Sequence, residues 1–240
     1  MASRRWKQLE LRARTWGGKR PRAGRRPARG RRPVPHVSRP RLASRYPVHV
    51  TKRVVPGLPR LRSFKLASVL RDCFVRGCQR SGFRICQFSI QGNHVHLICE
   101  ARDASSLARG IQGWSVRVAR RINARIGRGG RVFEERYHVQ ILKTPRQVRN
   151  GLCYVIQNAR RHGTQVDPAF GGVDPFTSAW YFDGWSEYRW RRGLAPADDE
   201  APVAPAHTWL LTRGWRRWGL IGVTEAPAAA RTTSAGDRAP

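Results

Sequence analysis

Four residues have types and spacing that can do chemistry together: His94 and His96, one residue apart, and Tyr154 and Asn158, four apart. From Val95 onward, Val95-His96-Leu97-Ile98-Cys99 reads as a strand, with turn chemistry (Gly92-Asn93) just before it. Side chains alternate faces along a strand, so His94 and His96 point one way and Val95, Leu97 and Cys99 the other. Two imidazoles on one strand face can grip a divalent cation, with a third ligand supplied from elsewhere. The plainer reading of His-x-His is a pair of half-buried histidines bonded to neighbouring backbone. A second stretch, Gly151 to Gly163, weighs against it. Val148, Leu152, Val155, Ile156 and Ala159 form an apolar helical stripe there, and Tyr154 and Asn158 share the face beside it, continued by Arg161. If that stripe packs on the open face of the sheet, Asn158 can complete a divalent site at His94 and His96, with Tyr154 above it. Phosphodiester cleavage needs such an arrangement: a phenol, with a pKa of about 10, is a weak nucleophile at neutral pH. A metal offsets the transition-state charge, and a covalent phosphotyrosine conserves the bond energy for rejoining. Taken alone, Tyr154 and Asn158 read equally as the polar edge of an amphipathic helix.

The elements that must position these groups follow in order. Tyr46 to Val55 alternates as a strand and stops at Pro56-Gly57. Arg60 to Arg80 carries a helical stripe (Phe64, Leu66, Val69, Leu70, Cys73, Phe74), ended by Ser81-Gly82. Phe83 to Ile90 is a second strand, joined through Gly92-Asn93 to the two-histidine strand as a hairpin. Ser105 to Ile126 is a helix with an Arg-rich outer face, closed by Gly127 to Gly130. Val132 to Leu142 reads as a fourth strand, and Pro145 opens the third helix at its first turn. This order, β-α-β-β-α-β followed by a helix, predicts an α+β ferredoxin-like antiparallel sheet. Two helices lie on one face, and the last helix lies on the other. The first and third strands become central neighbours, which brings His49 close to His94 and His96, and the remaining sheet face is open to nucleic acid.

Composition bounds the partners. The formal net charge is +32 and the pI near 11.8, far too basic for an ordinary metabolic enzyme and suited to a polyanion. Hydrophobic residues make up 40% of the chain, enough for one sound core. No apolar run approaches the roughly 18–20 residues of a membrane span, and the N-terminus lacks the apolar segment of a secretion signal, while its Arg-rich, acid-poor leader also suits an organelle transit peptide. Five cysteines (Cys73, Cys78, Cys86, Cys99, Cys153) form no Cys-x-x-Cys pair and read as small core residues of a reducing, cytoplasmic and nucleoid-associated protein. Residues 1–45 hold 16 basic side chains against Glu10 alone and read as a disordered arm, either contacting phosphates or arising from an early start codon. Residues 46–163 form the domain. Residues 164–224 are a Trp-rich extension with an Ala/Pro linker, and 225–240 read as a disordered tail. The tryptophans of the extension are expected chiefly to plug it onto the domain, with base stacking as the alternative.

The motifs Gly92-Asn93-His94-Val95-His96-Leu97, Arg131-Val132-Phe133 to Arg136-Tyr137-His138, and Tyr154-Val155-Ile156-Gln157-Asn158-Ala159-Arg160 resemble those of the single-tyrosine HUH transposases. The likeness is greatest to the REP-associated tyrosine transposases and related bacterial proteins, and it covers about Pro47 to Gly163. It implies a Mg²⁺ or Mn²⁺ ion held by His94 and His96, with Asn158 in the third position. It also implies Tyr154 as the nucleophile toward single-stranded DNA, giving a 5′-phosphotyrosine and a free 3′-hydroxyl. Hairpins formed by short palindromes are the implied targets. Many relatives carry Pro after the Asn; here Ala159 follows, so the helix is expected to run on.

Around this centre, His49, His138 and Glu135 are candidates to support the metal ligands. Arg117, Arg120, Arg121 and Arg125, with Arg161, are candidate DNA contacts. Tyr137 is the rival nucleophile, although its strand position among Glu134, Glu135 and Arg136 suits a sheet edge better. The chain is expected to act as a monomer or homodimer. The competing reading is a non-catalytic or domesticated nucleic-acid-binding protein on the same fold, since RNA-recognition modules share this layout. Against it, the central strand offers His94, His96 and Ile98 where stacking rings would be needed. A replication initiator of the same superfamily is a third reading, disfavoured because no helicase segment is present.

Overall fold

The computed structural model describes residues 41–134, 136–161, 166, 172–187 and 200–227. Residues 1–40 of the basic arm, Glu135, most of 162–171, the 188–199 linker and 228–240 lie outside the described residues. The strands are β1 (Val48–Arg53), β2 (Gln79–Arg80), β3 (Phe83–Ile90), β4 (His94–Ala101) and β5 (His138–Ile141). They form one antiparallel sheet in the order β2-β3-β4-β1-β5. Apart from the two-residue β2, this is the expected ferredoxin-like order, with β1 and β4 as central neighbours.

Each helix starts where its sequence supplies a cap. Ser63 caps α1 (Phe64–Val75), and Asp103 caps α2 (Ala104–Ile126), which ends on Gly127 in the left-handed conformation at φ 64°. Thr144 and Gln147 form a capping box on α3 (Pro145–Ile156), with Pro145 in the first turn. A short helix, α4 (Asn158–Arg161), follows, and α5 (Trp209–Thr212) comes after the linker.

Two apolar layers sandwich the sheet. On one face Val48, Val50, Val95, Leu97 and Cys99 pack against Leu70 and Phe74 of α1 and Ile111, Trp114 and Val118 of α2. On the other, Ile98 and Cys86 meet Val148, Leu152 and Val155 of α3, together with Trp185, Leu211, Trp215 and Ile221 of the extension. The expected open sheet face is thus largely covered, by α3 and by the tail behind it. Trp185 and Trp215 are 1% exposed and act as plugs. All five cysteines are free and buried, and burial pushes the Cys73 thiol up to about 11.

Several element boundaries differ from those predicted. The first helix stops at Val75, because Gly82 (φ 71°) turns the chain so that Gln79 and Arg80 pair with Arg84 and Phe83 as β2. The fourth strand is only His138–Ile141. Upstream, Val132, Phe133 and Tyr137 are buried in the α1/α2 layer, and a single bridge, Val54 to Phe133, remains of the expected ladder. Leu42 is buried in that layer too, so packing begins inside the segment read as a disordered arm.

Glu225, at the start of the segment read as a disordered tail, is held firmly. Arg149 of α3 reaches its carboxylate through Nη1 (2.8 Å) and Nη2 (2.9 Å) and also donates to Gly219 O and Leu220 O, 2.9 Å each. These bonds clamp the extension to the helix that carries Tyr154. Arg149→Ala leaves a half-buried carboxylate and two carbonyls without their donor. The expected loss is about 1–3 kcal/mol, seen as a lower thermal midpoint. An unchanged midpoint refutes the clamp.

Candidate active site

The register of β1 and β4 decides which groups meet. Thr51 lies opposite His96, His49 opposite Ile98 and Arg53 opposite His94. Alternation puts His49, Thr51, His94 and His96 on the α3 face, and Val48, Val50 and Lys52 on the α1/α2 face. His96 is 4% exposed and stands at the centre of the cluster. Its Nδ1 is 3.1 Å from both His49 Nε2 and Thr51 Oγ1, and its Nε2 is 2.9 Å from His94 Nε2.

The hydrogen bonds constrain the tautomers. Asn93 Oδ1 only accepts, so the 2.7 Å contact makes His94 Nδ1 the donor and leaves the lone pair of neutral His94 on Nε2. Burial, with His138 and His94 nearby, lowers the His49 pKa to about 4, so His49 is neutral at pH 7 and can accept from His96 Nδ1–H. Then His96 Nε2 also carries a lone pair. Two lone pairs facing each other at 2.9 Å repel unless a proton or cation lies between them. The spacing suits two neighbouring ligands of an octahedral ion, which stand about 3 Å apart at metal–ligand distances near 2.1 Å.

Tyr154 comes from α3 onto this cluster. Its hydroxyl is 3.5 Å from His96 Nε2, and its ring meets the His96 and His49 rings edge-on at centroid distances of 5.0 and 5.5 Å. The Arg161 guanidinium lies over the same ring, 5.0 Å from its centroid. The phenol oxygen thus stands beside the histidine pair, held by packing and without a strong hydrogen bond.

Asn158 is fully buried, and neither its Oδ1 nor its Nδ2 has a hydrogen-bond partner. An unsatisfied buried carboxamide costs roughly 1–3 kcal/mol, a cost that a ligand to Oδ1 removes. Among the described residues no group of three or more His, Cys, Asp or Glu forms a complete metal site. The orphaned Asn158 carboxamide has an oxygen of the right chemistry to add to the histidine pair. Tyr154 and Asn158 do not share one continuous helix, however. α3 ends at Ile156, and Gln157 takes a non-helical conformation (φ −109°, ψ 20°). At this break Gln157 is tied to the extension, its Nε2 donating to Gly222 O (2.9 Å) and Val223 O (2.7 Å). Gln157 and Thr51 are the two contributors that sequence reasoning missed. Neither motif nor spacing marks them; only the alternation that put His49 beside His96 could have suggested Thr51.

The other candidates fall further out. His138, on β5 opposite Thr51, is exposed and near enough for its charge to disfavour protonation of His49. Glu135 lies outside the described residues. Tyr137 is buried in the α1/α2 layer, across the sheet from the histidines, which removes it as a nucleophile. Arg117, Arg120 and Arg121 line a depression on α2, and Arg125 is exposed on the same helix. These four arginines lie on the opposite side of the sheet from Tyr154. Arg161 alone of the basic candidates touches the cluster.

Residues 60–157 match the family model described as IS200-like transposase, a span that contains His94, His96 and Tyr154 and ends one residue before Asn158. This supports the family that the motifs resemble. No curated protein matches the chain. Among solved structures, a REP-associated tyrosine transposase bound to a REP hairpin matches with a TM-score of 0.46 and 15% identity, over 60% of this chain and 82% of that one.

Proposed function

We propose that this chain is an IS200-like transposase that cleaves and rejoins single-stranded DNA through Tyr154. The observation that carries the reading is the approach of the Tyr154 hydroxyl to 3.5 Å from His96 Nε2 within one chain, where two imidazole nitrogens face each other at 2.9 Å. A Mg²⁺ or Mn²⁺ ion, held by His94, His96 and Asn158, would polarise the scissile phosphate and offset the charge that builds on it.

The rest of the chemistry belongs to the chain. The phenol oxygen of Tyr154 attacks phosphorus, and the P–O3′ bond breaks. The phenol gives up its proton and the departing 3′-oxygen gains one, so the products are a 5′-phosphotyrosine and a free 3′-hydroxyl with no net oxidation. Attack by a 3′-hydroxyl reverses the step and joins strands. Arg161, whose guanidinium lies 5.0 Å from the centre of the phenol ring, is placed to meet the phosphate that Tyr154 attacks. His49 and Thr51 hold the His96 ring so that Nε2 faces the reaction. The tyrosine works in its own subunit, since its hydroxyl reaches His96 of the same chain.

The test is incubation with a single-stranded oligonucleotide that folds a short palindromic hairpin, with Mn²⁺, followed by a denaturing gel. A protein band shifted by the mass of the cleaved strand is expected, and chelator should abolish it. Binding of the hairpin without any adduct, unaffected by chelator, would instead support a non-catalytic nucleic-acid binder. His49→Ala should leave the adduct but raise the Mn²⁺ concentration that half-saturates its formation by about 10–100-fold, as the loss of an outer-shell partner does. An unchanged metal dependence removes His49 from that role.

A further inference from the structure

Among the described residues four large hydrophobic side chains are exposed, and two of them, Trp209 (48%) and Trp218 (54%), sit on one small unit of the extension. The unit is α5 together with a 3₁₀ turn, Gly214–Trp218. Leu210, Leu211 and Trp215 bury its inner side in the α3 layer. Trp215 Nε1 donates to Leu211 O at 2.9 Å and its ring stacks on Phe182. With the unit anchored so well, the outward placement of two indoles is a feature of a folded surface and not of a frayed end.

Each exposed indole carries an arginine. The Arg217 guanidinium lies 5.0 Å from the Trp209 ring centroid, and that of Arg146, from the first turn of α3, lies 5.2 Å from Trp218. Trp209 also rests on Gly214, where any Cβ would come within 2.6 Å of the ring. Beyond Trp209 opens a cleft of about 420 Å³ lined by Arg45, Arg84 and Arg102. Glu100 lies in the same cleft, but its oxygens are taken by the backbone N–H groups of His207 and Thr208, and Arg84 Nη1 is 3.8 Å away. The surface therefore offers flat aromatic and guanidinium faces beside a basic cleft.

From this we infer that Trp209 and Trp218, with Arg217 and Arg146, form a second nucleic-acid site, a stacking platform for unpaired bases of single-stranded DNA. It rests on the proposed reading only in taking DNA as the partner. Bases stack on indole and guanidinium faces alike, whatever their sequence, and the adjoining arginines meet the phosphates. The family match stops at residue 157, so both tryptophans and Arg217 lie outside the matched span, and Arg146 lies within it.

The experiment measures affinity of the full chain, with chelator present, for an unstructured thymidine oligonucleotide and for an abasic oligonucleotide of equal length. Wild type should bind the thymidine strand at least about 10-fold more tightly than the abasic one. The Trp209→Ala/Trp218→Ala double variant, with its thermal midpoint checked, should bind both strands equally, at the wild-type abasic level. Arg146→Gln/Arg217→Gln, which keeps both indoles, should weaken both strands. Equal binding of the thymidine strand by wild type and the tryptophan variant overturns the inference. So does a tryptophan dependence seen only with a uridine oligoribonucleotide, or only with phosphatidylglycerol vesicles. Adduct formation on hairpin DNA is scored separately. An adduct without the tryptophan dependence sinks the platform alone, and the dependence without an adduct sinks the catalytic reading alone.

Discussion

Tyr154→Phe should give a folded protein that binds hairpin DNA as wild type does and forms no covalent adduct. The substitution removes one oxygen. The ring keeps its edge contacts with His96 and His49 and its place beneath Arg161. The hydroxyl's approach to His96, at 3.5 Å, is too long to contribute much to stability, so the unfolding free energy should stay within about 0.5 kcal/mol of wild type. Cleavage is another matter, because removing a covalent nucleophile removes the path itself, and the rate should fall by at least about 10³-fold. A denaturing gel and a filter-binding assay on the same preparations separate the two effects. If the adduct persists in the Phe variant, the nucleophile lies elsewhere and the site assembled around His96 is not where strands are cut.

The second large effect is expected at His96. Its two ring nitrogens join the two halves of the cluster, Nδ1 toward His49 and Thr51 and Nε2 toward His94 and Tyr154. His96→Ala should abolish adduct formation, again by at least about 10³-fold, and no excess of Mn²⁺ should restore it. It should also cost about 2–4 kcal/mol of stability, because it opens a cavity and leaves His49 Nε2 without that partner. The metal arm distinguishes a ligand from a packing residue. In wild type, chelator and Mn²⁺ should switch adduct formation off and on without moving the fold, as read by circular dichroism. If the Ala variant still responds to added Mn²⁺ with an adduct, His96 is structural and the cation sits elsewhere.

Much of the architecture was legible in the chain because it depends on local chemistry. The β3 hairpin into β4 followed from alternation and the Gly92-Asn93 turn, and α2 and α3 followed from their stripes, the Gly127 stop and Pro145. The ferredoxin-like order came from the sequence of element types. It also predicted β1 beside β4, and with that the closeness of His49 to His96. The transposase resemblance rested on three short motifs, and the family match over residues 60–157 agrees with it. What the motifs could not reveal was the break in the helix at Gln157. Tyr154 and Asn158 look like one face of one helix, but at Gln157 the backbone leaves the helix and the side chain bonds to the carbonyls of Gly222 and Val223, some 65 residues away.

By itself, then, the sequence singled out His94, His96, Tyr154 and Asn158 as candidates, assigned them to their strand and helices, and showed a charge of +32 that suits a polyanion. Those are matters of residue type, period and charge. Tertiary structure alone decided that the extension closes over α3, that Arg149 and Glu225 lock it there, and that the arginines of α2 face away from Tyr154. It also decided that Trp185 and Trp215 are buried while Trp209 and Trp218 face solvent. The physical reason is the same in each case. Which of several similar tryptophans or arginines becomes buried depends on the surfaces that distant segments bring to it, and no local pattern records that pairing.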